Sequence, residues 1–497
     1  MRKRLVRNVV ANLLQAVLGA GLLFALYRYI NDTLGVEQLG VWSVVLAAAS
    51  ASRLADLGLS VGVTRFVARD RARDNARRAG KVLDTTALTL MVTVGLILPL
   101  AYPIIHGLLP YLFDDQYLQM SQQILPYALL SLWLTIIATV FQGGLDGCER
   151  MDLRSALVVS GQVLLLALAF WLVPQHGLIG LAWAQVGQGL FLVVAGRLML
   201  VHTLNVLPIF PMRWRWQVLR EMLGYGANVQ AATVFMLLLD PVAKAMMAGL
   251  GGAAAAGYFE MASQVVQRGR AMIVAANQAV VPRVAALTEG APGQLSQFYR
   301  MNMRLIVFIT LPVFSLLVAW AGGVSWLLTG SYQEDFVAMM LVLTIAWAAN
   351  TLTVPAYFFN LGSGRVGWNT LSHIAMGVCN ASLGWLLGGI YGWVGVVLGY
   401  AIAVLIGSGV LILAFVMRHE YAHACTGTPA QYLLVVVSLL VAVVAWLVPL
   451  QPMNGTTQEL MAGILLPPLA LGIAAWLHPG RRQLMQMFGV VKCAREA

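Results

Sequence analysis

Residues 85–108 read TTALTLMVTVGLILPLAYPIIHGL, a continuous run without Asp, Glu, Lys or Arg. A helix of this length rises about 36 Å, at roughly 1.5 Å per residue, and so can cross the roughly 30 Å hydrocarbon core of a bilayer. Comparable runs recur along all 497 residues, of which 60% are hydrophobic and only 10% charged. A soluble globular protein carries roughly 25% charged residues. The composition therefore excludes a soluble enzyme and a disordered protein, and it predicts a polytopic membrane protein.

Fourteen segments are apolar and long enough to be membrane-spanning helices. They are residues 9–30, 40–64, 85–108, 124–145, 156–173, 178–196, 223–249, 258–280, 305–328, 337–361, 367–388, 394–416, 431–448 and 460–477. The stretches between them are too short to fold as separate domains. The predicted fold class is thus an all-α polytopic membrane protein with about 14 transmembrane helices.

The distribution of lysine and arginine predicts the orientation, because cytoplasmic loops of membrane proteins collect these residues. With the N-terminus inside, the cytoplasmic segments hold 26 of the 31 basic residues and the outside segments hold none. Both termini are therefore predicted to be cytoplasmic. The net charge of +11 reflects this topology, so no nucleic-acid partner is expected. The other five basic residues lie within predicted spans and are Arg28, Arg53, Lys244, Arg268 and Arg270.

An internal repeat relates the two halves of the chain. A single offset superimposes Gly40 on Gly257, Trp42 on Phe259, and Arg53 on Arg270. The dipeptides Leu34-Gly35 and Leu250-Gly251 match one position out of register. Because six spans separate the two copies, both copies share one orientation, and the pattern predicts two parallel six-helix lobes plus two C-terminal helices.

The predicted domain organisation follows from this repeat. An N-terminal six-helix lobe occupies residues 1–200, and a cytoplasmic linker follows at 201–222. The C-terminal six-helix lobe occupies residues 223–416, and two additional helices with a cytoplasmic tail occupy 417–497.

Charged side chains inside a membrane are energetically unfavourable and are candidates for function. Arg53 lies near mid-bilayer on a polar stripe with Asp56, and the two can form a local i, i+3 ion pair or line a water-accessible cleft. Its repeat mate Arg270 has no carboxylate within one helical turn, shares a face with Gln267, and has Glu260 on a neighbouring face. Two polar stripes at equivalent depths predict a cleft between the lobes.

The remaining intramembrane charges have alternative interpretations. Asp240 and Lys244 are spaced i, i+4 beside Pro241, so they form either a structural salt bridge or a pair involved in gating and substrate contact. Arg268 lies on a different face from Arg270 and either extends to the interface, packs against a neighbour or has a functional role in contacting substrate. His373 is either a packing residue or a site of proton coupling.

Several short motifs resemble a known family. In the first lobe they are Leu34-Gly35, Leu39-Gly-Val-Trp42, Asp56-Leu-Gly-Leu59 and Arg65-Phe-Val-Ala68; in the second they are Asp240, Leu250-Gly251, Gly257-Tyr258 and Pro282. Together they resemble the bacterial polysaccharide transporters, which include the Wzx-type lipid-linked oligosaccharide flippases. That family belongs to the multidrug/oligosaccharidyl-lipid/polysaccharide exporter superfamily.

The resemblance implies a flippase of the bacterial inner membrane that works by alternating access. Its substrate would be an undecaprenyl-diphosphate-linked oligosaccharide moved from the cytoplasmic to the periplasmic leaflet, for exopolysaccharide or O-antigen synthesis. The expected substrate-binding residues are Arg53, Arg270, Lys244, Arg268 and Gln267, and the expected coupling or gating residues are Asp56, Asp240 and Glu260. Membrane lipids, a polysaccharide polymerase and export machinery are the expected partners of a monomeric protein.

Two other functions compete with this one. A cation-coupled exporter of drugs or small molecules would need acidic residues in its cavity, where only Asp56, Asp240 and Glu260 are available and each lies near a base. A membrane enzyme would need catalytic residues on a sizeable outside loop, and the outside segments are at most about fifteen residues long. We therefore expect no enzymatic activity, and neither a cofactor nor a metal is expected.

Overall fold

The computed structural model describes residues 2–50, 59–205, 207–277, 280–290, 292–364, 367–418, 436–438, 440–441 and 467–473. Across these ranges the regular structure is helical, without strands. In its internal contacts the chain divides into two units, Met1–Gly257 and Tyr258–Ala497. The predicted all-α fold is confirmed for the described part of the chain.

Seven of the described α-helices begin in the first half of the chain. They are α1 (Arg2–Leu34), α2 (Val36–Ser50), α3 (Leu59–Ala72), α4 (Ala76–Leu108), α5 (Asp115–Gly147), α6 (Met151–Leu204) and α7 (Trp216–Asn277). Helix α5 packs against α2, α3, α4 and α6, and α6 also packs against α1. The core of the first unit is therefore built around α5.

Seven more α-helices follow in the described residues up to Arg418. They are α8 (Val280–Gly290), α9 (Leu295–Ala319), α10 (Ala321–Thr329), α11 (Glu334–Leu352), α12 (Val354–Gly362), α13 (Gly367–Tyr391) and α14 (Trp393–Arg418). Helix α14 packs along α13 and against α11, while α9 contacts both α11 and α12. These apolar helices form the core of the second unit.

The predicted spans correspond to these helices. Spans 156–173 and 178–196 form the two arms of α6 across Gly177, which has a non-helical backbone. Spans 223–249 and 258–280 form the two arms of α7 across Gly252. Seven described helical segments are long and apolar enough to cross a membrane, judged by length and composition. Of the last two predicted spans, only residues 436–438, 440–441 and 467–473 are described.

The internal repeat is visible in the backbone of both units. A Cβ placed at Gly147 would lie 2.7 Å from the Cβ of Val67, and a Cβ placed at Gly362 would lie 2.7 Å from the Cβ of Val284. Backbones with positive φ recur in two further pairs, Glu149 with Gly364 and Gly177 with Gly392. The second copy is slightly shorter than the first between Val284 and Gly362, the counterparts of Val67 and Gly147. The later pairs keep the offset between Gly147 and Gly362.

Near the start of each copy, the structure confirms the offset that superimposes Gly40 on Gly257. Gly35 has a φ of +86° and Gly252 has a φ of +85°, and they are separated by the same offset as Val67 and Val284. Both glycines occupy left-handed backbone, which glycine adopts without steric penalty. The match of Leu34-Gly35 with Leu250-Gly251 is therefore wrong as a structural equivalence, because backbone conformation rather than local sequence similarity fixes the position of the break.

Two repeat-related glycines allow α2 and α7 to touch. A Cβ added at Gly40 would overlap the carbonyl oxygen of Ala253 and lie 2.9 Å from the backbone nitrogen of Gly257. A Cβ added at Gly257 would in turn overlap the carbonyl oxygen of Val36. The two helix backbones are in direct contact here, so neither glycine has room for a side chain.

Replacing Gly40 with alanine should therefore destabilise the protein. The added methyl group forces α2 and α7 apart, and overpacking of this kind typically lowers the free energy of unfolding by about 1–3 kcal/mol. The matched control is Gly21→Ala in α1, where a Cβ meets nothing within 4 Å. Thermal unfolding in detergent should show a loss for Gly40→Ala and no loss for Gly21→Ala; equal behaviour would contradict the contact.

An ion-pair network joins the α3–α4 corner to the start of α7. Arg69 and Arg78 both contact the carboxylate of Glu221, with 2.9 Å between Arg78 Nη2 and Glu221 Oε2. The same arginines approach buried Asp70 at 3.1 and 3.7 Å. The hydrogen bond from Arg69 and the charges of both arginines hold the pKa of Glu221 below its usual range. The network thus links the predicted cytoplasmic ends of these helices.

The contribution of Glu221 should depend on pH in the acid range. Because its pKa is lower in the folded protein, its stabilisation is complete above the unfolded value of about 4.3 and disappears as the pH falls through the folded value. Glu221 is partly exposed, so the effect should be below about 1 kcal/mol. The midpoint temperature of thermal unfolding should be lower for Glu221→Gln than for the unchanged protein at neutral pH, and the two midpoints should converge in acid. A constant difference across this range would refute the assignment.

Candidate functional site

Two of the predicted site residues, Arg53 and Asp56, lie outside the described residues. In the first unit the structure brings together Asp240 and Lys244, whose Oδ2 and Nζ atoms are 2.7 Å apart. The ammonium group is buried whereas the carboxylate is about half exposed. This geometry satisfies the local salt bridge, and the gating role of the pair stays a prediction.

Three predicted residues of the second unit occupy different environments along α7. Glu260 is buried, and its Oε1 accepts a hydrogen bond of 3.1 Å from Gln264. Gln267 is partly buried, and Arg268 is exposed. Arg270 is also partly buried, and its Nε atom is fully enclosed. The side chain of Arg268 therefore does not share the enclosed setting of Arg270.

Arg270 is held by neutral groups on α11. Its Nη2 donates a hydrogen bond of 2.9 Å to Oδ1 of Asn350, and its guanidinium carbon lies 4.6 Å from the ring centroid of Trp347. Asn350 is itself fixed by a 3.0 Å hydrogen bond from Nδ2 to Oγ of Ser408 on α14. The i, i+3 spacing of Trp347 and Asn350 places both on the face of α11 that meets Arg270.

Further polar and aromatic side chains surround this arginine. Tyr400 on α14 lies 6.3 Å from the Trp347 ring, and Tyr357 on α12 lies 5.9 Å from the ring of His373 on α13. Tyr357, Tyr400 and His373 are all within electrostatic range of Arg270. Four helices, α11 to α14, thus contribute to the neighbourhood of one cation on α7.

This arginine site contains buried polar atoms without hydrogen-bond partners. Within the described part of the chain, Nε of Arg270, Nε1 of Trp347 and both ring nitrogens of His373 have none. The described neighbours also include no carboxylate that interacts with Arg270. A cation largely removed from water without a counter-charge is unfavourable, and nearly all buried donors in folded proteins are satisfied. An anionic ligand would supply both the charge and the acceptors.

The first repeat has different residues at the positions equivalent to these neighbours. In the register set by Gly147 and Gly362, the residues Trp347, Asn350, Tyr357, His373 and Tyr400 correspond to Leu132, Thr135, Gln142, Val158 and Gln185 in that order. Thr135 donates its hydroxyl hydrogen to the carbonyl oxygen of Ser131 in its own helix. The aromatic and amide neighbours of Arg270 are thus particular to the second copy.

Sequence patterns singled out Arg270 and His373 but not the other neighbours of this arginine. Trp347, Asn350, Tyr357 and Tyr400 come from helices that lie much further along the chain. The one signal available was Asn350 itself, a polar side chain in the middle of the apolar predicted span 337–361. Helical periodicity reports faces within one helix and carries no information about which helices meet.

Comparisons with known proteins identify one matching family. Residues 5–288 match the family model described as polysaccharide biosynthesis protein. No curated protein sequence matches the chain. The family match covers more than half of the chain, including the whole first repeat and the start of the second.

Three solved structures share the fold. The lipid II flippase MurJ in an inward closed conformation is 11% identical, with a TM-score of 0.69 covering 97% of this chain and 99% of its own. An inward-facing multidrug resistance transporter of the MATE family and MOP superfamily is 17% identical, with a TM-score of 0.71 covering 85% and 99%. An outward-facing transporter of the same description is 18% identical, with a TM-score of 0.61 covering 85% and 97%. At these identities the similarity concerns the fold.

Because Asn350 contacts Arg270, its loss should lower the free energy of unfolding more than the loss of its repeat counterpart, Thr135. Asn350→Ala removes the acceptor of a largely buried guanidinium and should lower the free energy of unfolding by about 1–3 kcal/mol. Thr135→Ala removes a hydroxyl bonded within its own helix and should have an effect of at most about 1 kcal/mol. Thermal unfolding of both variants in detergent tests this order, and a larger loss for Thr135→Ala would contradict it.

Proposed function

Because the chain belongs to the polysaccharide biosynthesis protein family, we propose that it is a flippase for an undecaprenyl-diphosphate-linked oligosaccharide. It would move this substrate from the cytoplasmic to the periplasmic leaflet of the bacterial inner membrane, with both of its termini in the cytoplasm. The product would enter exopolysaccharide or O-antigen synthesis. The protein transports its substrate and catalyses no covalent step in this proposal.

The observation that carries the proposal is the environment of Arg270. The substrate headgroup is a hydrated polyanion that must pass about 30 Å of hydrocarbon. A guanidinium group matches phosphate oxygens in charge and geometry, and its hydrogen bonds to them are charge-assisted. Arg270 has a free buried Nε and interacts with no carboxylate among the described residues, so a diphosphate supports its charge better than any neighbour in that part of the chain.

The other predicted residues would contribute through their charged or polar side chains. Arg53 is the repeat mate of Arg270 and would contact the same headgroup, and Gln267 would offer its amide to the sugars. Lys244, Arg268, Asp56, Asp240 and Glu260 would contribute to substrate contact, coupling or gating. The lipid tail would stay in the bilayer while the headgroup crosses.

The conformations of the structural relatives support an alternating-access mechanism. The MATE relatives are described as inward-facing and outward-facing, and MurJ is described as a lipid II flippase. We propose that this chain likewise exchanges between such states as a monomer, delivering its product to a polysaccharide polymerase and export machinery. Membrane lipids would surround it without being cargo.

A cation-coupled drug exporter is the second candidate, and it is favoured by the TM-score of 0.71 with a multidrug resistance transporter. An exporter of organic cations would place carboxylates toward its cargo. The polar neighbours of Arg270 within the described residues are instead an amide, two phenols and an imidazole. This set favours an anionic cargo over a cationic one.

Loss of the two repeat-related arginines should stop transport. In cells that depend on this chain, Arg53→Ala/Arg270→Ala should abolish polymer export, because the diphosphate loses its charge-assisted hydrogen bonds. Arg270→Lys should retain part of the export, since the charge remains while the planar donor array is lost. The measurement is surface polymer together with the amount of protein inserted in the membrane.

The control for this experiment is Arg283→Ala, which removes an exposed base on α8. It should leave both export and insertion unchanged. Normal export in the double variant at normal insertion would refute the flippase assignment. Resistance to organic cations that falls in the double variant while export persists would instead support the drug exporter.

A further inference from the structure

An extended segment follows α6 and connects it to α7. We call residues 207–215 the strap; its backbone is irregular, and it follows the left-handed C-cap of α6 at Asn205. Irregular backbone does not occur exposed to the hydrocarbon of a bilayer, because its peptide groups would lack hydrogen bonds there. The position of the strap is therefore constrained by the groups that form hydrogen bonds with its backbone.

Side chains of α4 fix the strap at a defined height. Oγ1 of Thr85 donates to the carbonyl oxygen of Arg213 at 3.3 Å and accepts from the backbone nitrogen of Arg215 at 3.2 Å. Nε1 of Trp214 donates to Oγ1 of Thr89 at 3.1 Å. Because Thr85 is the first residue of the predicted span 85–108, these bonds hold the strap at the cytoplasmic boundary of the hydrocarbon.

A buried ion pair supports the other end of the strap. Nη2 of Arg197 lies 2.7 Å from Oδ1 of Asp84, and the two side chains are only 6% and 0% exposed. The same guanidinium donates to the carbonyl oxygens of Pro208 at 2.7 Å and Ile209 at 3.2 Å. Arg197 therefore forms an ion pair with the buried carboxylate and donates hydrogen bonds to two carbonyl groups that lie outside the helices.

The outer face of the strap is apolar, aromatic and basic. Phe210 and Met212 are 73% and 79% exposed, and they are more exposed than almost any other large apolar residue described. Ile209, Trp214 and Trp216 on the same stretch are also exposed, and Arg213 and Arg215 stand between the aromatic residues. Apolar tips, indole rings and arginines in alternation are the composition of surfaces that enter the headgroup region of a membrane.

We propose that the strap binds the anionic phospholipids of the cytoplasmic leaflet and anchors the connection between the two repeats in that leaflet. Phe210 and Met212 enter the boundary between headgroups and acyl chains. The indoles of Trp214 and Trp216 lie at headgroup level, and Arg213 and Arg215 contact lipid phosphates. This role is independent of the cargo and does not rest on the proposed flippase function.

The choice of an anionic lipid surface follows from charge and position. The described strap contains no acidic residue, and Asp84, the carboxylate beneath it, is paired with Arg197 and lies within electrostatic range of Arg213. An aqueous protein partner would leave the strap's height at the first turn of the predicted span unexplained. A cytoplasmic leaflet with anionic lipids attracts juxtamembrane arginines at this depth.

A nitroxide probe at residue 212 measures the depth of the strap. Met212→Cys is labelled in full-length protein whose four native cysteines are replaced by serine, and the protein is reconstituted in vesicles. Collision of the probe with oxygen should exceed collision with a water-soluble nickel chelate. The control is a probe at Arg73→Cys, on the exposed α3–α4 corner, where the nickel chelate should collide more often.

Lipid selectivity is measured on the same protein by native mass spectrometry with phosphatidylglycerol and phosphatidylcholine. The unchanged chain should retain phosphatidylglycerol preferentially. Arg213→Gln and Arg215→Gln should each reduce this preference about fivefold, the equivalent of about 1 kcal/mol for a base near an anionic leaflet. Arg283→Gln, which removes an exposed base elsewhere, should leave the preference unchanged.

Both measurements can overturn the proposal. A probe at residue 212 that collides mainly with the nickel chelate would show that the strap faces water. An undiminished phosphatidylglycerol preference in the Arg213→Gln/Arg215→Gln variant would show that other bases hold the lipid. Thermal unfolding of Arg215→Gln alone should match the unchanged chain, because the backbone nitrogen of this residue keeps its bond to Thr85, whereas Arg213 also acts on Asp84 through its charge. A lowered stability of Arg215→Gln would contradict the assignment of its side chain to lipid contact.

Discussion

The burial of cationic side chains among apolar helices is the constraint on which this structure depends, and it is met in three ways. Lys244 is neutralised by Asp240 one turn away on its own helix. Arg197 is neutralised by Asp84 and also holds two carbonyl groups of an irregular segment. Arg270 is surrounded by an amide, an indole, phenols and an imidazole. The first two charges are balanced within the protein, whereas the third interacts with no carboxylate among the described residues and, in the proposed function, would be balanced by an anion.

The two repeats share their backbone and differ in their side chains at this site. Contacts around Gly147 and Gly362 agree in distance, and the breaks at Gly35 and Gly252 agree in φ. Backbone contacts of this closeness tolerate little change, because any added Cβ would overlap a neighbour. Side chains that line a polar interior are under no such restriction. The packing glycines are thus common to both copies, while the neighbours of Arg270 differ from their counterparts in the first.

The sequence predicted the helices well and the site only in part, for a physical reason. A bilayer requires about twenty apolar residues per crossing, so hydropathy alone located the spans, and the repeat followed from glycines at close contacts. Arg270 was found because a charge in an apolar run is rare. Its partners were missed because Trp347 looks unexceptional in its own helix, and the polar Asn350 shows its role only when α11 meets α7. The offset from Gly40 and Gly257 already pairs Gly35 with Gly252, whereas the out-of-register match at Gly251 was misleading because the glycines in residues 249–252 look alike until their backbone angles are known.

Position therefore decides what a basic residue does in this chain. Most of the 31 basic residues lie in predicted cytoplasmic segments, where they fix orientation through the charge of the leaflet. Arg213 and Arg215 belong to that majority by count, yet their strap is bonded to Thr85 at the level where headgroups meet hydrocarbon. In the lipid contact proposed for the strap, a base at that level would do more than bias insertion, because backbone hydrogen bonds that do not depend on its side chain would hold it within reach of lipid phosphate. Under the two proposals the same guanidinium chemistry would act twice, on lipid phosphate at the strap and on an anionic cargo at Arg270, and the two sites would differ in whether the protein leaves the cation exposed or encloses it.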